Sequence, residues 1–410
     1  MKKVRKLASL PLLCLLSLTL HLSPLQAQQE TLRAEVLRPL TAAQELNNQK
    51  KHAEALRRLA EVDALEVVNP LEVFTIERLR AVVLIAAGET GQAAKALDKA
   101  LQTERGTVPD RLALMEHLVL IKYRAKVYAE AALYAGRYFA LGGQRAQLRQ
   151  LQAQALYLSA QYQPTAEILQ QRLDAELAAQ RLPEEVELRL LASAYQQLKH
   201  ESGYVQTLES LVRFYPNPEV WADLLYRVMQ RPDFPLHLEI DVRRLMLAVG
   251  AVSSAADFLE HAQLAISAGY PSEARRVLEA SQSADKQGSS SDTAKVAALL
   301  AQAKRSQLED DKQLPQLDAQ LAKARDGNPF VNMGLNLALN GQALRGVALM
   351  AQGLEKGGLR QPDTARLRLA YAHYLADQKD QARAACGALT GPSTEAALAR
   401  LWLLHLAAAR

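Results

Sequence analysis

The residues whose types could do chemistry are scattered along this chain. The histidines beyond the leader region, His52, His117, His200, His237, His261, His373 and His405, form no H-E-x-x-H pair and no Cys/His cluster. In Glu116–His117 and Glu260–His261, the acid and the imidazole are adjacent and so face different sides of a helix, as solvated or hydrogen-bonded residues do. Ser283-Ala284-Asp285-Lys286 spells the S-x-x-K of serine acyl enzymes, but it falls in a Gly/Ser-rich stretch, where no rigid element would hold oxyanion donors beside the hydroxyl. Glu184–Glu185 and Asp310–Asp311 are expected at helix N-termini, where acidic residues favour the dipole. Cys386 lies four residues after Ala382 on an apolar stripe and is expected to be buried and inert. No G-x-S-x-G elbow and no Gly-rich phosphate loop occurs. These residues predict no enzyme, no cofactor and no metal site.

The elements that would carry such residues are helices. Ala, Leu, Gln, Arg and Glu dominate, aromatics make up 5%, and alternating β-branched runs are almost absent. One phrase recurs: a small residue, an apolar residue four on, and another three beyond. It reads Ala55, Leu59, Val62; Ala93, Leu97, Ala100; Ala131, Ala135, Tyr138; Thr207, Leu211, Phe214; Ala274, Leu278, Ser281; and Leu317, Leu321, Ala324. Weaker copies open at Thr165, Gly346 and Ala382, and one more must fit between Thr207 and Ala274. Positions i, i+4 and i+7 share a helix face, and the small first residue lets a partner helix come close. Each helical pair then needs a neighbour to bury its other face, so the pairs must stack.

On these residues the chain resembles the tetratricopeptide repeat (TPR) family, whose repeat is about 34 residues forming two antiparallel helices. The best copy runs from Asn328 to Gly358, with Phe330, Met333, Gly334, Leu337, Gly341, Gly346, Met350 and Gly353 in the family's order of large and small positions. A second copy is carried by Trp221, Leu224, Leu225 and Val228, with Pro216 and Pro218 closing the repeat before it. The resemblance covers roughly residues 35 to 390. It implies an all-α superhelical solenoid of about ten TPR-like helical hairpins with a C-terminal capping helix. The expected organisation is a signal peptide over 1–27, an N-terminal array over 28–230, irregular helical repeats over 231–282 (entered by the kink Arg231-Pro232-Asp233-Phe234-Pro235), a flexible linker over 283–293, further repeats over 294–392 and the capping helix over 393–410.

In TPR superhelices the first helix of each hairpin lines the concave side. The resemblance therefore implies a partner-binding groove that includes Arg78, Glu116, Tyr123, Gln150, Gln154, Tyr157, Arg189, Gln196, Tyr226, Tyr371 and Tyr374. Tyrosine and amide side chains suit protein, peptide or glycan contacts. The expected job is that of a scaffold or adaptor for an envelope protein or peptide segment. The arrangement, including Leu398 to Trp402, resembles periplasmic TPR proteins of proteobacteria linked to TonB-type outer-membrane uptake. An assembly factor for exported polysaccharide is the alternative.

The address follows from the first residues. Lys2, Lys3, Arg5 and Lys6 precede an apolar run from Leu7 to Leu20, too short for a comfortable span, and Leu25 and Ala27 offer a cleavage site before Gln28. This predicts export to the periplasm, with no stable membrane span after the leader is removed. Leu12 and Leu13 beside Cys14 argue against lipid attachment. Without those four basic residues the chain is nearly neutral, so the sequence pI of about 9.0 is no warrant for nucleic-acid binding.

Overall fold

The computed structural model describes residues 31–65, 69–252, 254–283 and 290–408. The leader, Cys14 and the Gln28 cleavage site lie outside these residues. Among the described residues regular structure is entirely helical and no strand occurs. Ten successive pairs of helices follow one another, most of them hairpins. They are α1 (Ala34–Asn48) with α2 (His52–Asp63), α3 (Pro70–Ala86) with α4 (Thr90–Gln102), α5 (Val108–Arg124) with α6 (Tyr128–Ala140), α7 (Ala146–Leu158) with α8 (Tyr162–Ala178), and α9 (Glu185–Gln197) with α10 (Glu201–Phe214). Then come α11 (Pro218–Met229) with α12 (Glu239–Ala248), α13 (Ala255–Ser267) with α14 (Pro271–Ser283), α15 (Ser290–Gln313) with α16 (Leu317–Ala322), α17 (Asn328–Leu339) with α18 (Ala343–Lys356), and α19 (Pro362–Leu375) with α20 (Lys379–Gly387). A last helix, α21 (Thr394–Ala408), follows the tenth pair. The chain is thus an all-α solenoid of helical hairpins with a C-terminal capping helix.

One turn closes most of these hairpins. Three residues separate the helices, and the middle one is left-handed: Lys50, Gly88, Lys126, Ala160, Lys199, Gly269, Gly341 and Asp377. The next backbone N–H reaches five residues back, as in Lys51 to Leu46, Val127 to Lys122, Gln161 to Leu156 and Gln378 to His373, at 2.9 Å each. This is the Schellman closure, which satisfies carbonyls left over at the helix end. A side-chain pair often spans the same turn: Asn47 with His52, Tyr123 with Tyr128, Tyr157 with Tyr162, Tyr195 with His200, and His373 with Gln378.

The recurring phrase lies on second helices and is buried there. Ala55, Leu59, Val62, Ala93, Leu97, Ala100, Ala131, Ala135, Ala274, Leu278, Ala382 and Cys386 are all buried. In α10 the phrase begins one helical turn later than in its neighbours: counted from the closing turn, Tyr204 stands where the others have a small residue, and Thr207 follows it. The copy that had to fit between Thr207 and Ala274 is in α12, where Asp241, Leu245 and Ala248 have the phrase's spacing. A buried carboxylate occupies the small position, which is why residue type alone hides this copy.

The chain divides into two compact units, one up to Leu148 and one from Arg149 onward. In the first, Val36, Leu40, Ala43, Ala55, Leu59, Val62, Ile76 and Val83 form one apolar cluster. In the second, a larger core runs from Ala153 to Trp402. This second unit returns on itself: α19 is bonded to the segment around α12, and α21 packs on α10 as well as on α19 and α20. The stretch expected to be irregular, 231–282, holds a proline-bounded corner and then helices α12 to α14. Of the expected linker, Ser283 ends α14 and Ser290 begins α15, while 284–289 lie outside the described residues. Asp310–Asp311 is near the C-terminal end of α15, not at an N-terminus as expected, because that helix begins twenty residues earlier, at Ser290. The pair is held by amides instead: Asn340 donates to Asp311 at 2.9 Å and Asn336 to Asp310 at 3.4 Å.

A candidate protein-docking cleft

The second unit carries a cleft of about 350 Å³ where α11, α12 and α13 meet. The sequence around it dictates its form. Helix α11 stops at Met229 because Pro232 and Pro235 cannot continue it, and at the corner the exposed Arg231 donates to Asp233 at 2.8 and 3.2 Å. Chain direction is then restored by a short 3-10 turn, Leu236–Leu238, that runs into α12. Leu238 turns inward and is fully buried, whereas Leu236 is 81% exposed, the highest value for a large apolar side chain among the described residues. Tyr226, one α11 turn before the corner, is 54% exposed. Met229, Phe234 and Met246 complete the apolar lining.

The rim is charged. Glu239 and Arg243 come from α12, and Asp257 and Glu260 come from the first turns of α13. Arg243 is shared between Glu239 at 2.9 Å and Glu260 at 2.7 Å. Asp257 also caps α13 in a reciprocal arrangement with Ser254. Three carboxylates therefore surround the mouth against one guanidinium.

Behind the cleft lies the charge cluster that the sequence reading did not single out. Arg244 donates to both Glu273 oxygens at 2.9 and 2.8 Å and to Asp241 at 2.6 Å, and its guanidinium lies 5.1 and 5.3 Å from the ring centres of Tyr270 and Tyr371. Arg368 in α19 donates to Asp241 at 3.0 and 3.1 Å, and His261 lies 3.2 Å from Glu273. Burial alone would raise the Glu273 carboxyl, but the Arg244 charge and the hydrogen bonds from His261 and Arg244 outweigh it and hold the group well below the carboxylate range. Burial likewise lowers Arg244, and the charges of Glu273 and Asp241 outweigh that and raise it. Two cations balance two anions, and each is held by more than one partner, so the cluster ties α12, α14 and α19 together. The signal was present in Asp241 and Arg244, charges at helix spacing inside an apolar stretch. A nearby trio is also structural. Thr364 donates its only proton to Glu395 at 2.8 Å, so His237 at 3.3 Å can only donate to that hydroxyl, not deprotonate it.

The residues expected to line a groove have diverse places. In the first unit, Arg78 is paired with Asp110 and Glu116 with Arg145, while Tyr123 is half-buried edge-on to Tyr128. In the second, Gln150 donates to Glu184 and Arg189 pairs with Glu185, Gln196 is exposed, and Gln154 and Tyr157 are half-buried. Tyr374 is half-buried against Trp402, at 5.1 Å between rings. Tyr371 corrects its expectation: it is 6% exposed, a core ring under Arg244 and Arg276, with its hydroxyl pushed up to about 12, chiefly by burial. Most of the tyrosines between Tyr123 and Tyr226 are likewise half-buried or buried, filling gaps at hairpin turns, and Tyr226 is the exposed one. Of the expected residues, only Tyr226 lines the cleft.

No known family's sequence profile matches this chain, and no curated protein matches it. Among solved structures it aligns with Naa15/Naa10 bound to HypK-THB at 14% identity and a TM-score of 0.30, covering 86% of this chain and 57% of that one. The TPR2AB-domain:pHSP90 complex of yeast Sti1 aligns at 13% identity and 0.23, over 68% and 88% of the two chains. The P58(IPK) TPR domain aligns at 15% identity and 0.23, over 92% and 99%. The chain thus spans 57% of the length of the Naa15/Naa10 chain it matches. At these scores the likeness carries no weight on function, which has to be argued from the chain's own surface. Among the described residues no helix is long and apolar enough to cross a membrane, and no group of three or more His, Cys, Asp or Glu could hold a metal ion.

Proposed function

We propose that this protein is a binding scaffold that holds a protein partner in the cleft between α11, α12 and α13. The observation that carries the reading is Leu236, 81% exposed on a corner held between two prolines, in the same cleft as the 54% exposed ring of Tyr226. A backbone corner already restricted by two prolines loses little further freedom on binding, so a partner that covers Leu236 gains most of the hydrophobic contribution.

The leader-like start, Lys2 to Leu20, supports a place in the cell envelope, and the sequence resemblance supports an adaptor role alongside TonB-linked uptake. A photo-crosslinking residue at position 236, compared with one at the similarly exposed Leu344, tests the scaffold reading in cells. One identified envelope protein should be captured from position 236 and not from 344. Equal capture at both positions, or at neither, would overturn the reading. N-terminal mass spectrometry tests the address: a chain beginning near Gln28 is expected, and a retained N-terminus or a lipid on Cys14 would refute it.

A further inference from the structure

Resting on the scaffold reading, we infer that the cleft selects a polypeptide segment in which a bulky apolar side chain neighbours a lysine or arginine. The apolar side chain belongs between Tyr226, Met229, Phe234, Leu236 and Met246. The cation belongs at the rim made by Glu239, Asp257 and Glu260.

Charge decides between possible occupants. Arg243 is 9% exposed by side chain and already spans Glu239 and Glu260, so it presents little positive charge to a ligand. Glu260, which meets Arg243 at 2.7 Å, is 58% exposed. The mouth therefore presents more carboxylates than cations above an apolar wall. An acidic or carboxylate-ended segment would face repulsion there, and a neutral apolar segment would leave the rim unused. A segment with both features satisfies wall and rim together, and its cation would also speed encounter in a salt-dependent way. The volume, about 350 Å³, is at the small end for ligand pockets, which run from about 300 to 1,000 Å³, so it suits one anchoring side chain and its flanking backbone better than a folded surface.

Three synthetic peptides of equal length test this on the full-length chain by fluorescence anisotropy: one with Leu and Phe interleaved with Lys, one with every Lys replaced by Glu, and one with Leu and Phe replaced by Ser. The Leu/Phe/Lys peptide is expected to bind at least about tenfold tighter than either control, and to weaken as salt rises from about 50 mM to about 500 mM. The Glu260→Gln variant should lose about threefold or more for that peptide alone, and Leu236→Ser should lose binding while keeping the helical circular dichroism signal. If the Glu-bearing peptide binds as tightly as the Lys-bearing one, the selectivity is wrong while the scaffold reading survives. If the serine peptide binds as well as the first, the apolar anchor is wrong. If no peptide binds and position 236 also captures no partner in cells, both readings fall.

Discussion

Arg244 sits between two carboxylates and two tyrosine rings with 1% of its side chain exposed, and the cost of removing it follows from what would be left behind. Arg244→Leu would leave buried Glu273 with His261 alone and Asp241 with Arg368 alone, so a loss of about 3–5 kcal/mol from the second unit is expected in urea unfolding. The same cluster sets a pH dependence. Because the folded Glu273 carboxyl is held below its ordinary range, its contribution is complete above that range and is lost as pH falls through and beneath it. Wild-type stability should therefore drop more steeply below the carboxylate range than that of Glu273→Gln, and parallel pH profiles would refute the assignment. At the hairpin turns, Lys126, Ala160 and Lys199 hold left-handed backbone at φ of 61°, 59° and 54°. A side chain there costs about 1 kcal/mol relative to glycine. Ala160→Gly is accordingly expected to raise stability by roughly that amount, measured by the shift in the urea midpoint.

At the scale of elements, pairs of helices approach as closely as their small residues allow. In α17 and α18, a Cβ on Gly346 would lie 2.4 Å from the Gly334 carbonyl oxygen and 2.7 Å from the Ala338 nitrogen, and one on Gly353 would lie 2.8 Å from the Gly327 oxygen. These three contacts are with backbone, which cannot swing aside. Gly346→Ala should thus push the pair apart at a cost of about 1–3 kcal/mol, seen as a lower melting temperature, whereas the exposed Leu344→Ala two residues earlier should change little. Helix α12 has the opposite composition. Asp241 replaces the small residue and recruits Arg244 and Arg368, so this hairpin is joined to α19 by charge where others rely on shape.

At the scale of the whole molecule, the second unit carries its own reporters. Both tryptophans, Trp221 and Trp402, are buried in it, as is Cys386, whose thiol burial pushes up to about 12. Tryptophan fluorescence and Cys386 alkylation, mapped by peptide mass spectrometry, should therefore report the same unfolding transition of residues 149–410. Alkylation of Cys386 at native fluorescence would contradict its burial. The closure of this unit, with α19 on α12 and α21 on α10, also fixes the α11–α13 region from behind, which is what a docking cleft with exposed apolar anchors requires.

Periodicity alone placed the helices, because burial on a helix repeats with the turn: Ala55, Leu59 and Val62, or Ala93, Leu97 and Ala100, reveal a buried stripe without reference to any distant residue. Gly334, Gly346 and Gly353 were legible through the resemblance, from the TPR family's order of large and small positions. Asp241 and Arg244 were visible only as charges at helix spacing inside an apolar stretch, and their union with Glu273 and Arg368 was not legible, since it depends on a partner from as far as 127 residues away. The tyrosines show the same limit. Tyr371 and Tyr226 are alike in sequence as rings on first helices, yet returning chain covers Tyr371 and leaves Tyr226 open beside Leu236. Local spacing determined which side of each helix is apolar, and only the tertiary packing decided which apolar side chains stayed in water.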